Sequence, residues 1–207
     1  MAIAYPLTLP TVNTARRITF RQVNAGALSQ SPFTFKQQAV LHTGQRWEAD
    51  VSLPPMSRAQ AAQWIGFLAS LKGISGTLLM GDPSAPLPRG SAGGTPLVMG
   101  ADQTGGELLI DGATANQTGW LLVGDYIQLG AGGTVSLHMV LADVDTDGSG
   151  QATLDLWPNI RSAPGDNDAL TLIGTVGIWR QSTNTVSWDV DSASIFGMSF
   201  TLVEAIQ

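Results

Sequence analysis

Apolar and polar positions alternate near the start of the chain, switch once to helical spacing, and then return to alternation. Arg17-Ile18-Thr19-Phe20-Arg21-Gln22-Val23 alternates polar and apolar through Ile18 and Phe20, the period of a half-buried strand. Phe33 to Leu41 and Arg46 to Leu53 read as two more strands. The segment His42-Thr43-Gly44-Gln45 is predicted to join them as a hairpin turn, and Pro54-Pro55 ends the pairing because proline has no N–H for the ladder. Ala61, Trp64, Ile65, Leu68 and Leu71 then recur at i, i+3, i+4 and i+7. Ser57 with Gln60 forms a capping box before them, and Gly73 sits where a glycine stops a helix. One α-helix over about 57–72 is therefore predicted. Strands follow at Gly76–Met80, Gly177–Arg180, Thr185–Val190 and Gly197–Val203.

Between Met80 and Gly177 the pattern becomes a series of short strands with glycine-rich corners. Glu107–Gly112, Asp125–Leu129, Thr134–Val144 and Gln151–Trp157 are its strand segments, and several such strands in about 90 residues predict a small β-barrel of OB-fold-like type. The junction Asp82-Pro83-Ser84-Ala85-Pro86-Leu87-Pro88 has the composition of a linker. The expected fold is mainly β. Residues 1–85 and 175–207 form a discontinuous β-sandwich-like domain with one helix, and residues 86–174 form the inserted barrel. No internal repeat is evident.

Charge sharpens this division. Of 207 residues only 13% are charged, with 10 Lys+Arg against 16 Asp+Glu and a net charge of -6. Residues 1–60 carry +4, residues 61–81 carry +1, residues 82–174 carry -9 and residues 175–207 carry -2. An acidic insert thus sits in a body of net +3. Hydrophobic residues make up 43%, which with so little charge argues against disorder. Two lysines and an acidic balance argue against a basic nucleic-acid-binding face. With no cysteine there is no disulfide, thiolate nucleophile or Cys-ligated metal. The first residues show neither a basic segment nor an apolar run of signal-peptide type, and no apolar stretch reaches the roughly 18–20 residues of a membrane span.

Candidate chemistry is sparse. Asp143, Asp145, Asp147 and Gly148 match the opening of a calcium loop, but its twelfth position is Leu154, where a bidentate Glu completes the oxygen shell. A hairpin turn is the expected reading. His42 and His138 stand far apart without metal-ligand spacing, and each reads as a polar-facing strand histidine. No nucleophile elbow, phosphate loop or dinucleotide fingerprint occurs. The sequence therefore predicts no catalytic residue, no metal site and no cofactor. Of the six tryptophans, Trp64 is placed in the core by its helix face, while Trp47, Trp120, Trp157, Trp179 and Trp188 suit core or interface alike.

The order of these features resembles the distal tail protein (Dit) family of long-tailed bacteriophages, the siphophages of Gram-negative hosts. The resemblance rests on Arg17-x-x-Phe20-x-Gln22, Ser31-Pro32-Phe33-Thr34-Phe35-Lys36-Gln37-Gln38 and Trp47-x-Ala49-x-Val51-x-Leu53-Pro54-Pro55-Met56, followed by the Ala-Trp helix. Gly124–Leu129, Asp147–Leu154, Trp157–Arg161 and the closing Phe196–Ala205 complete it, over almost the whole chain. The resemblance implies a virion structural protein, not an enzyme. It would be assembled in the host cytoplasm as a homohexameric ring at the distal end of the tail. Its partners would be copies of itself, the tail tube protein and the baseplate hub or tail-tip protein, with side tail fibres as further neighbours. It implies no membrane insertion and no nucleic-acid sequence recognition.

A ring needs surfaces that meet the next copy. Ser31 to Gln38 holds two phenylalanines and one charge, so Phe33, Phe35, Lys36 and Gln37 are the predicted subunit-interface strand. The alternative is an internal strand of the body. A second functional class is a carbohydrate-binding module acting in host-surface adsorption through the inserted domain, supported by aromatic content and an uncharged polar surface.

Overall fold

The computed structural model describes residues 3–12, 14–191 and 194–206. Twelve strands and one α-helix occur in the order β1 (Leu7–Thr8), β2 (Arg17–Gln30), β3 (Gln37–Ser52), α1 (Arg58–Ser70), β4 (Leu78–Met80), β5 (Gly94–Val98), β6 (Gly105–Ala113), β7 (Tyr126–Leu129), β8 (Ser136–Val140), β9 (Ala152–Ile160), β10 (Gly177–Gln181), β11 (Trp188–Val190) and β12 (Phe196–Glu204). They make a mainly-β fold of two sheets. The larger has the order β1-β4-β10-β12-β3-β2, with β11 pairing the first half of β12. The smaller has the order β5-β6-β9-β8-β7 and is curled as a half-barrel. The segment around Asp168–Thr171 closes it, bonding to Pro96 and Val98 of β5 on one side and to Gln128 of β7 on the other. Every strand of the large sheet comes from outside residues 86–174, and every strand of the small one from within.

Helix α1 ends where its sequence dictates. Gln60 accepts the Ser57 N–H at 3.1 Å, satisfying a donor that the helix start leaves open. Gly73 takes a φ of +67°, and a Cβ there would stand 2.4 Å from Asn184 Oδ1. Ala61, Trp64, Leu68 and Leu71 turn inward against Ala49, Val51, Leu78 and Leu202 on the large sheet, each burial contributing up to about 1.5–3 kcal/mol for the larger side chains. The Trp64 Nε1–H donates to the Val12 carbonyl at 2.8 Å. The small barrel has its own core of Val98, Leu108, Ile110, Trp120, Ile127 and Leu154. Trp157 leaves that core and enters the other, meeting Trp47 edge to face with ring centroids 4.5 Å apart.

The barrel is fastened where the chain enters it. Asp125, only 3% exposed, accepts the backbone N–H groups of Arg89, Gly90 and Leu122 at 2.8, 3.1 and 2.9 Å. A buried carboxylate held by three donors fixes the Pro-rich junction as a defined path rather than a loose linker.

The early hairpin differs from expectation. Residues 42–45 do not form the turn: β3 runs unbroken from Gln37 to Ser52, and its partner is β2. The true turn is Ser31–Lys36, where the Ser31 N–H donates to the Lys36 carbonyl at 3.0 Å and the Phe35 N–H to the Ser31 carbonyl at 2.9 Å. At 42–44 the strand bulges, because Asn24 pairs with Gln45 while Gly26 pairs with Leu41. Gly44 fits this crowded corner because it lacks a side chain; a Cβ would stand 3.0 Å from that of Ala25. Glycine between polar residues suits a bulge as well as a turn, and pattern alone does not separate them. Likewise only Trp188–Val190 of the predicted strand 185–190 is extended, and β1, two residues long, carries no alternation to find.

Candidate functional site

Beyond the bulge β2 and β3 leave the sheet as a two-stranded arm. From Asn24 to Arg46 every residue is exposed except Ser31 and Gln45, which are half-buried. Below the bulge the same strands are anchored, with Trp47, Ala49 and Val51 buried. Leu28 and Leu41 share one face of the arm and Val40 lies on the other, so it is apolar on both sides. Phe33 and Phe35 at the tip are 92% and 72% exposed. A lone two-stranded ribbon is at best marginally stable in water, and this one buries neither face.

Of the four residues predicted as an interface strand, Phe33, Phe35 and Lys36 lie in the tip turn and only Gln37 in a strand. The correction has a local cause. Ser31 Oγ accepts the N–H groups of Phe33 and Thr34 at 3.4 and 3.3 Å, and Phe35 adopts a left-handed φ of 56°, both incompatible with extended pairing. The internal-strand alternative fares no better for Phe33 and Phe35, which lie in no strand and are open to solvent.

The root of the arm is gripped by the barrel. Trp157 Nε1–H donates to Asn24 Oδ1 at 2.8 Å, the Asn159 N–H to Gln45 Oε1 at 2.7 Å, and Arg161 Nη1 to the Gln45 carbonyl at 2.7 Å. Arg161 Nη2 pairs with Glu204, which also accepts the Trp47 N–H at 3.0 Å. The Trp47 Nε1–H donates to the Leu137 carbonyl at 3.0 Å. Burial pushes the Glu204 carboxyl above its ordinary value, and the Arg161 charge opposes that shift in part. None of these partners adjoin in sequence, and no periodic signal announces them.

A cavity of about 450 Å³ opens beside this grip, lined by Ser136, His138, Arg161, Asp168, Glu204 and the Gly130–Val135 corner. His138 at its wall is 1% exposed, so it is a core histidine and not the solvent-facing one expected from its strand. Its Nδ1 lies 2.6 Å from the Pro158 carbonyl and its Nε2 2.9 Å from Ser136 Oγ. The carbonyl requires a proton on Nδ1, so Nε2 accepts from the serine. Burial lowers the imidazole to about 4 and keeps it neutral. A serine beside a neutral imidazole is a nucleophile–base arrangement in outline. Here the base is weak, sealed from solvent and oriented by a carbonyl, which works against proton abstraction. His42 is exposed at the bulge.

The aspartate-rich turn behaves as a turn. Asp143, Asp145 and Asp147 each spend an oxygen on backbone amides: Val123 at 2.8 Å, Gly119 at 2.7 Å, and both Ser149 and Gln151 at 2.8 Å. Those bonds hold the Asp147 carboxyl below the usual range. Among the described residues no group of three or more His, Cys, Asp or Glu is placed to hold a metal ion. Trp47, Trp64, Trp120, Trp157 and Trp179 are buried, and Trp188 is exposed on β11.

Comparison with known proteins returns no matching family model and no matching curated sequence.

Proposed function

We propose that this chain is a structural protein of a bacteriophage tail tip, forming a homohexameric ring that joins the tail tube to the hub or receptor-binding tip. One observation carries the reading: a rigidly rooted arm, apolar on both faces and tipped by two exposed phenylalanines, has no cover among the described residues. An arm of 22 residues, 24–45, matches the about 20–30 residues that one partner contributes to a standard interface. Sparse charge suits a surface to be covered by other copies, because an unpaired buried charge is costly. An adaptor of this kind performs its role by shape and packing, with no catalytic residue.

The saccharide-binding reading gains no comparable support. The aromatic side chains of the insert are Trp120, Tyr126 and Trp157; the two tryptophans are buried and Tyr126 is half-buried against the core, which leaves no exposed aromatic platform for a sugar.

Native mass spectrometry and negative-stain imaging of the purified chain test the proposal. A closed ring of six copies is expected, and Phe33→Ser with Phe35→Ser should leave the thermal unfolding midpoint unchanged while lowering ring occupancy. A strictly monomeric mass at every concentration, together with absence of the protein from purified virions, would overturn the reading.

A further inference from the structure

The arm tip and the cavity beside the arm's root match in size and chemistry, yet a single chain keeps them apart. The steps from Asn24 to Gln30, at about 3.3 Å each, carry the tip roughly 20 Å from the root. Phe33 and Phe35 are 92% and 72% exposed there, so neither ring is seated against the described residues. The cavity of about 450 Å³ stays at the root, where Arg161 and Glu204 line it.

We propose that the Phe33–Phe35 tip of one copy inserts into this cavity of the next, so that each arm reaches from its own root to its neighbour's. The proposal rests on the ring reading above and names the surface that receives the arm.

The floor of the cavity suits an apolar guest. Leu129, Val135, Pro164, Ile178 and Ala205 line it and are buried. The polar side chains beside them already have partners: both nitrogens of His138 are bonded, and Arg161 pairs with Glu204. An apolar occupant therefore leaves none of these three without a partner. Volume agrees. A cavity of about 150 Å³ takes one benzene ring, so about 450 Å³ admits two, and the tip carries two. Gly130, Thr134, Ser162 and Ala163 are exposed at the mouth, which is open to an incoming chain.

Charge agrees as well. Lys36 is the one Lys, Arg, Asp or Glu of residues 24–45, and it forms no ion pair among the described residues. Asp168 lines the cavity and Asp166 stands two residues before it; both are exposed, and neither pairs with a cation among the described residues. A seated tip brings Lys36 toward these carboxylates, a complementary arrangement. A lipid surface would take the tip and leave Leu28, Val40 and Leu41 of the shaft in water, whereas a second copy has the extent to cover both. Tip and cavity are different surfaces, so the contact is heterologous and closes into a ring when its rotation allows.

The chain has no cysteine, so introduced thiols are the only ones present. Thr34→Cys at the tip and Ala163→Cys at the mouth, both exposed positions, are placed in one full chain and treated with a short bismaleimide. A ladder of covalent species up to six copies is expected on a denaturing gel, while either single variant yields none beyond a dimer. As a second measurement, Ala163→Trp, which fills the mouth, should raise the concentration of half-assembly by about tenfold and leave the thermal midpoint of the dilute chain unchanged. A ring that persists while the double-cysteine variant yields no more than the singles would overturn the tip contact and leave the ring standing. Products that stop at two copies would replace the head-to-tail order with a dimer exchanging tips, and so overturn it. Flotation with phosphatidylglycerol vesicles, lost in Phe33→Ser with Phe35→Ser, by a chain that does not cross-link would give the tip to lipid and overturn the contact. A chain that never assembles would overturn both the contact and the ring.

Discussion

Arg161→Met removes the one cation that bridges the arm root, the large sheet and the barrel. Glu204 is left behind with its side chain only 5% exposed, accepting the Trp47 N–H but facing no counter-charge. Removing one partner of a buried pair costs about 3–5 kcal/mol. Arg161 keeps a 26% exposed side chain, so partial hydration places the pair near the lower end. The Gln45 carbonyl also loses its donor, adding up to about 1 kcal/mol. The expected loss is about 3–4 kcal/mol, or about 6–16 °C in thermal midpoint for a chain of this size. The loss should also depend on pH. The folded pKa of Glu204 already lies above its unfolded value, and removing Arg161 raises it further. Between those values the folded state binds more protons than the unfolded state, so stability falls as pH rises through the window. The deficit of Arg161→Met should therefore be larger at pH 8 than at pH 5. Adding Glu204→Gln, which still accepts the Trp47 N–H, should recover most of it. Urea unfolding followed by tryptophan fluorescence measures each variant. A deficit below about 1 kcal/mol, or one equal at both pH values, would refute the bridging role of Arg161.

Two further substitutions probe the interior. The His138 pKa is lowered to about 4, so between that value and its ordinary 6.5 the unfolded state binds the extra proton. Stability should fall as pH drops through this window, by up to roughly 1.4 kcal/mol per unit. His138→Gln should flatten that acid slope in urea midpoints, and an unchanged slope would show that the imidazole is not its source. Gln181 is 3% exposed, and neither atom of its amide has a hydrogen-bond partner. Gln181→Met should therefore stabilise the fold by about 1–3 kcal/mol in thermal unfolding, and a lower midpoint would show that the amide has a role the static structure does not display.

Part of this architecture is legible in the linear chain. The period-3.6 stretch from Ala61 to Leu71, its Ser57–Gln60 start and its Gly73 stop define α1 because each signal is local and acts within one turn of helix. The short strands of the insert, its acidic charge and the Pro-rich segment at its entrance likewise arise from nearest-neighbour chemistry. The turn at Asp147 is readable for the same reason: a carboxylate followed by glycine and serine bonds its own turn, whereas Asp143 and Asp145 reach amides 20 and 26 residues away.

The arm was not legible, although every residue that builds it was in view. Alternation marks strands but not their partners, and the choice between a turn and a bulge at 42–45 depends on whether β2 is long enough to pair past it. Burial of His138 depends on the Pro158 carbonyl, 20 residues away in sequence, and the grip on the arm joins Asn24 and Gln45 to Trp157, Asn159 and Arg161 across more than 100 residues. Sequence by itself determined the helix, the mainly-β character and the uneven charge, because propensity, capping and composition act over a few residues. Tertiary structure alone decided that Phe33 and Phe35 end in solvent and that Glu204 sits buried beside Arg161. Those outcomes depend on which distant segments meet, and loop closure and packing settle that only when the whole chain has folded.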